Sequence, residues 1–175
     1  IDTPKLAKVF DEAGRWNQIL GVDTLGSLNE KVLHKEIGEL IRVNEALHHK
    51  EIAKIAEQIS KNDKIKLVTI AGPSSSGKTT FSKRLYIHLR ANGINPIVIS
   101  LDNYYIGRAN VPLDENGQKD FETIEALDLK LLNQNLKELV DGKEVEIPEY
   151  NFITGEREKV GNMMKVPEKN GIIII

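Results

Sequence analysis

The sequence contains no cysteine. Disulfides and thiolate metal sites are thereby excluded, and the simple reading is a reducing, cytoplasmic setting. It also lacks an excess of charge of either sign: 24 Lys and Arg stand against 26 Asp and Glu, a net charge of −2. That balance gives no electrostatic ground for binding nucleic acid or an acidic membrane surface. No signal peptide is visible, and no apolar run approaches the length of a membrane span; the longest is Ile172 to Ile175. Internal repeats and low-complexity tracts are missing too. What remains is a mix of 40% hydrophobic and 29% charged residues over 175 positions. It falls in the soluble globular range, at a length for one ordinary domain or a small domain with an appendage. The chain starts at Ile1 rather than Met and stops inside Gly171-Ile172-Ile173-Ile174-Ile175. This end reads as a core strand interrupted, so a fragment of a longer protein is expected.

Residues 1–60 carry helical patterns and no strand signal. Thr3-Pro4 suits a helix start. Leu6, Val9, Phe10, Ala13, Trp16 and Leu20 fall on one face, and Gly21 ends the segment. Trp16 at that spacing reads as a core anchor rather than a binding aromatic. Ser27-Leu28-Asn29-Glu30 has capping-box form. A long helical pattern follows, through Ile37, Leu40, Ile41 and Leu47 and then Ile52, Ile55, Ala56 and Ile59. Its stripe slips near His48-His49, which leaves a kink, a face change or a break open. His48-His49-Lys50 reads as a solvated helix face in preference to a metal or anion site. The polar break Ser60-Lys61-Asn62-Asp63 marks the expected boundary between a helical segment, 1–60, and a second region, 61–175.

The most informative stretch is Gly72-Pro73-Ser74-Ser75-Ser76-Gly77-Lys78-Thr79, which has the form G-x-x-x-x-G-K-[ST] of the phosphate-binding P-loop. Its glycines let backbone N–H groups approach a polyphosphate closely. Lys78 would reach the β/γ phosphates, the Thr79 hydroxyl would ligate Mg²⁺, and Thr80 extends the cradle. A chance Gly/Ser turn is the alternative, and the flanks argue against it. Lys64 to Ala71 is β-branched and mostly apolar, as a buried parallel strand should be. Phe81, Leu85 and Leu89 then mark a helical face, with Asn92-Gly93 as its stop.

Pro96 to Leu101 reads as a second buried strand ending at Asp102-Asn103-Tyr104-Tyr105, and residues 106–120 as a loop. Thr123 is expected to cap a helix whose stripe runs Ile124, Leu127, Leu131, Leu132, Leu136 and Leu139, stopped by Asp141-Gly142. Val145 to Pro148 and a segment around Tyr150 to Arg157 read as extended or turning. Glu158 to Val166 reads as a strand or hairpin arm, and Ile172 to Ile175 as the third core strand. The order predicts an α/β fold: a P-loop NTPase-type parallel sheet with flanking helices, truncated, preceded by the helical N-terminal segment. Ligands of such sheets sit at the carboxyl ends of the strands, which places the P-loop and Asp102 on one edge. Asp102 there is either a general base for an attacking hydroxyl or a turn-starting residue; its position alone leaves both open.

From about Lys64 onward the chain resembles the uridine kinase/phosphoribulokinase family of P-loop kinases. The resemblance rests on Gly72 to Thr80, then Ser100-Leu101-Asp102-Asn103-Tyr104-Tyr105, then Ile147-Pro148-Glu149-Tyr150-Asn151-Phe152, in the family's order. Asp120 to Asp128 is similar to a fourth family segment. The resemblance implies ATP and Mg²⁺ as cofactors and Asp102 and Lys78 as catalytic residues. It places Tyr105, Tyr150 and Phe152 around the nucleoside and Glu122 on its ribose hydroxyls. Glu122 stands where the family has Asp, and Gly155 where uridine kinases have a base-contacting His. The implied acceptor is a hydroxyl of a nucleoside, uridine- or cytidine-like, or of a related sugar, and these two departures set uridine itself in question. The family's acidic residue after its core strand, its lid arginines and its adenine site are not among these residues, so full competence is not expected of them. Residues 4–59 resemble the helical linker of proteins that join a threonyl-tRNA-synthetase-like N-terminal module to a uridine-kinase-like domain. A homo-oligomer is compatible with this reading, as are two alternatives: an NTP hydrolase or nucleotide switch, and a non-catalytic nucleotide-binding module.

Overall fold

The computed structural model describes residues 3–73 and 75–175, with the side chains of Lys5 and Leu6 left aside. The expected places of Ser74 in the phosphate loop and of Leu6 on the first helical face lie outside the described residues. The chain divides into two compact units, 1–52 and 53–175, and each is described by itself.

The first unit is helical. Helix α1 (Pro4–Leu20) starts with proline in its first turn, where a missing N–H costs nothing. It stops at Gly21, whose φ of 64° is the left-handed cap that glycine adopts without strain. Its apolar face is not a core: Val9 and Phe10 are 61% and 69% exposed, and Trp16 is only half-buried. The expectation that Trp16 anchors a core is thus corrected. Helix α2 (Leu25–Leu33) has its capping box three residues earlier than the sequence suggested. Thr24 is extended, so its hydroxyl accepts from the Ser27 N–H at 3.1 Å while Ser27 Oγ accepts from the Thr24 N–H at 3.1 Å. Ser27 therefore closes the box rather than opening one. Helix α3 (Ile37–Ser60) runs unbroken past His48 and His49, so the slipped stripe is not a break.

The second unit holds the sheet. Strands β1 (Leu67–Val68), β2 (Asn95–Val98) and a strand at Gly171–Ile174, numbered β7 below, pair in parallel in the order β1-β7-β2. All four residues of β7 are buried, because both its edges and both its faces are covered. Strand β1 is an edge: Leu67 is 39% exposed and the regular strand is two residues, shorter and less buried than expected. Its hydrogen bonds nonetheless extend along β7, from Lys66 O with Ile173 N–H to Ile70 N–H with Ile175 O.

Helix α4 (Lys78–Ala91) follows the phosphate loop directly and buries Leu85 and Leu89 completely. Asn92 and Gly93, with φ of 79°, end it as expected. Helix α5 (Leu129–Val140) starts later than the apolar stripe implied. Thr123 does not cap it; residues 124–126 make one 3₁₀ turn and Leu127 is extended, bridging Tyr105. The cap is Asp128, whose carboxylate accepts from the Leu131 N–H at 3.0 Å. Strands β3 (Glu144–Ile147) and β6 (Asn162–Lys165) form one antiparallel pair. Strands β4 (Tyr150–Asn151) and β5 (Glu156–Arg157) form another, with Tyr150 opposite Arg157. The core gathers Ile99, Tyr104, Leu132, Leu139, Ile147 and Ile173.

Gly171 starts β7 where a Cβ would run into the Pro167 carbonyl oxygen and lie 2.5 Å from Val166 Cγ1. Gly171→Ala must therefore displace the central strand. Thermal unfolding should show a loss of about 1–3 kcal/mol, the usual cost of overpacking; an unchanged melting temperature would contradict this packing.

Candidate active site

The phosphate loop leaves β1 at its carboxyl end, and Asp102 lies just beyond the carboxyl end of β2. Since β7 runs between them, the two sit about 10 Å apart in strand spacing, on the same edge of one parallel sheet. That is where an open α/β sheet takes its ligand.

The loop has the backbone that a phosphate cradle needs. Ser75 and Gly77 are left-handed, with φ of 59° and 87°. A Cβ on Gly72 would stand 2.7 Å from Ser76 Oγ, so a side chain there would push the Ser76 hydroxyl out of its place in the loop. Lys78 Nζ donates to the carbonyls of Gly72 at 2.7 Å and Pro73 at 2.9 Å. The ammonium is thus held at the mouth of the loop, over the first turn of α4 with its free N–H groups. Thr79 and Thr80 are exposed in that turn. These features fit a polyphosphate on the loop and a cation on the Thr79 hydroxyl. Among the described residues no group of three or more His, Asp or Glu could hold a metal ion.

Asp102 occupies a 3₁₀ turn, Leu101–Tyr104, and is exposed. Its neighbour does the structural bonding: Asn103 Oδ1 accepts from the Tyr150 N–H at 3.3 Å. Buried Tyr104 is anchored through its hydroxyl by Asn135 Nδ2 at 3.2 Å. Burial pushes the Tyr104 phenol above its ordinary value.

The aromatic residues meet. Tyr105 lies edge-on to Phe121 and Tyr150, with centroids 5.3 and 5.6 Å away, and Tyr150 lies edge-on to Phe152 at 5.2 Å. The Tyr105 hydroxyl donates to the Phe121 carbonyl at 3.2 Å. Its phenol is raised first by burial, then by the negative charges of Asp102 and Glu122. Tyr105, Tyr150 and Phe152, named from the sequence, thus form one run of edge-on rings, with Tyr150 in the middle.

Several residues that hold this site gave no sign in the sequence. Arg157 on β5 donates through Nη2 to Tyr104 O at 2.9 Å, through Nε to Tyr105 O at 3.0 Å, and through Nη1 to Asp128 Oδ2 at 3.1 Å. One guanidinium thereby ties the Asp102 turn to the cap of α5. The loop 106–120 is structured as well: Lys119 Nζ donates to Ala109 O and Val111 O at 2.9 and 2.8 Å. The Asp128 signal was present as a capping residue before an apolar run; Arg157 could be found only through the β4–β5 register.

Asp128 also predicts a pH dependence. Its carboxyl is held below the ordinary aspartate value, first by the Leu131 N–H and then, against partial burial, by Arg157. A lowered folded-state pKa contributes stability above the unfolded pKa, and that stability is lost as pH falls through the folded value. Asp128→Ala should cost about 1–2 kcal/mol at pH 7. The gap from the unsubstituted chain should shrink below about pH 4. Denaturant unfolding at several pH values would show it; a gap constant down to acid would contradict the assignment.

Comparison with known proteins agrees with this fold. The model of the Phosphoribulokinase / Uridine kinase family matches residues 67–175. A uridine kinase of Vibrio parahaemolyticus is 35% identical over 118 residues, 66% of this chain and 54% of that protein. One of Mycoplasma genitalium is 37% identical over 93 residues, 53% of this chain and 43% of that protein. The chain spans about half the length of the curated relatives it matches. A solved structure described as a possible uridine kinase from Bacillus stearothermophilus superposes with a TM-score of 0.59 at 23% identity. It covers 71% of this chain and 68% of that one, a likeness of fold.

Proposed function

The chain belongs to the phosphoribulokinase/uridine kinase family, and from that membership we propose that it serves ATP-dependent phosphoryl transfer to a hydroxyl of a nucleoside or related sugar. What supports the reading is the run of rings Tyr105, Tyr150 and Phe152, joined through Asn103 to the turn of Asp102, at the sheet edge that also carries the phosphate loop. A hydrolase activating water has no need of an aromatic acceptor pocket.

In this reading, bound Mg·ATP supplies an electrophilic γ-phosphoryl group. Gly72 to Thr80 bind its phosphates through backbone N–H groups, and Lys78 places a positive charge against them. Thr79 holds the cation. The rings of Tyr105, Tyr150 and Phe152 clasp a flat acceptor, and Glu122 accepts hydrogen bonds from its hydroxyls. Asp102, exposed on its turn, receives the proton of the attacking hydroxyl at a carboxylate oxygen. Arg157 and Asn103 hold the turn on which that carboxylate stands. Residues 61–175 are assigned this kinase role. Residues 1–60 are assigned the role of a helical linker to a threonyl-tRNA-synthetase-like module, on the pattern of their sequence.

The test is a screen of nucleosides and sugars for stimulated ATP consumption by the intact protein. Acceptor-dependent turnover supports the kinase. Turnover indifferent to acceptor would make it a hydrolase or switch, and binding without turnover a regulatory module.

A further inference from the structure

Gly155 is buried beside the aromatic cluster with φ of 75°, in the backbone region that side chains rarely adopt. The space above it is filled. A Cβ there would lie 2.9 Å from both Cβ and Nε of Arg108 and 3.1 Å from its Cζ. Arg108 is 47 positions earlier in the chain, yet its backbone N–H donates to Gly155 O at 2.7 Å and its Nη2 to Phe152 O at 2.7 Å. The Gly155 carbonyl also accepts from the Tyr150 hydroxyl at 3.1 Å. The guanidinium is therefore pinned at the rim of the Tyr150–Phe152 pair by the same β4–β5 turn that carries those rings. One Nη2–H is used. Among the described residues no carboxylate comes within 4.0 Å to form an ion pair with it, and the residue is exposed.

An oriented, exposed guanidinium with donors to spare, held on the backbone of a ring-bearing residue, has the fork geometry that recognises paired lone-pair oxygens. Its fixed backbone anchor means that little side-chain freedom is lost on binding. The geometry points to Arg108 as a specificity-determining residue that contacts the acceptor through a carbonyl or anionic oxygen, in the space a side chain at position 155 would otherwise fill. This rests on the reading of the aromatic cluster as the acceptor pocket. The shared chemistry is an oxygen acceptor of hydrogen bonds; it has two sources, a base carbonyl or a phosphate on a sugar.

Calorimetric titration of the intact protein separates them, with uridine, D-ribose 5-phosphate and D-ribose as probes, each in the unsubstituted chain, Arg108→Ala and Arg108→Lys. Arg108→Ala should weaken the bound probe by on the order of tenfold or more, the usual consequence of removing a charge-assisted contact. Arg108→Lys should recover part of that loss, and Mg·ATP affinity should stay unchanged in both. Preference for uridine would assign the carbonyl, and preference for ribose 5-phosphate the anionic oxygen. Equal affinity of Arg108→Ala and the unsubstituted chain for the bound probe would overturn the assignment of Arg108 alone. If none of the three probes binds the unsubstituted chain while Mg·ATP does, the acceptor-pocket reading fails and this inference with it. Loss of Mg·ATP affinity in Arg108→Ala would likewise overturn the assignment, because it would mark a structural role.

Discussion

Asp102→Asn is expected to remove phosphoryl transfer while leaving Mg·ATP binding in place. The substitution keeps the shape of the side chain and its place on the 3₁₀ turn, but an amide cannot take a proton. General-base catalysis of this kind contributes roughly 10²–10⁴-fold, so kcat should fall by about that factor. The fold should survive, because the turn is held by other groups. Arg157 grips the carbonyls of Tyr104 and Tyr105. The Asp128 N–H donates to Tyr104 O at 2.8 Å, and Asn103 Oδ1 binds the Tyr150 N–H. Steady-state kinetics on the intact protein, beside calorimetry with Mg·ATP, would separate the two effects. Normal transfer in Asp102→Asn would end the assignment of Asp102 as base. A joint loss of transfer and nucleotide affinity would make it a structural residue instead.

Lys78→Ala is expected to act on the opposite quantity. Nζ sits at the mouth of the loop between the carbonyls of Gly72 and Pro73. A phosphate there would meet a full positive charge already oriented by two neutral acceptors. A hydrogen bond to a charged group is worth about 1.5–3 kcal/mol net, so Mg·ATP affinity should drop by roughly ten- to a hundredfold. Lys78 is the first residue of α4, and alanine is a good helix former, so the helix itself should not suffer. The proposed acceptor pocket draws on other elements, so its affinity should be unchanged. Calorimetry checks both. Unaltered Mg·ATP affinity in Lys78→Ala would mean that the loop is not a working triphosphate site.

How much of this could be read from the sequence depended on how local the determinants were. The phosphate loop is one contiguous stretch between an apolar strand and an amphipathic helix, and its setting between β1 and α4 was legible from spacing alone. The buried β7 was legible from four isoleucines in a row. The start of α5 was misplaced because Ile124 and Leu127 share its periodicity. In the fold, Thr123 turns its hydroxyl onto Glu125, and Leu127 goes extended to bridge Tyr105, so the helix waits for the Asp128 cap. Trp16 was misjudged for a related reason: helical spacing shows which residues share a face, not whether anything covers that face. The aromatic residues were found through family resemblance, since no local pattern links Tyr105 to Tyr150. Arg157 and Arg108 escaped because their partners lie 52 and 44 positions away. Only the β4–β5 turn brings those separations to zero, and its register is a product of the fold.

The central claim is that the γ-phosphoryl group passes to an acceptor hydroxyl rather than to water. The most direct measurement follows ATP labelled in its γ-phosphate, incubated with the intact protein and the acceptor chosen by the screen. The account predicts label on the acceptor, at a rate that collapses in Asp102→Asn. Label appearing only as inorganic phosphate, at the same rate with or without acceptor, would contradict it.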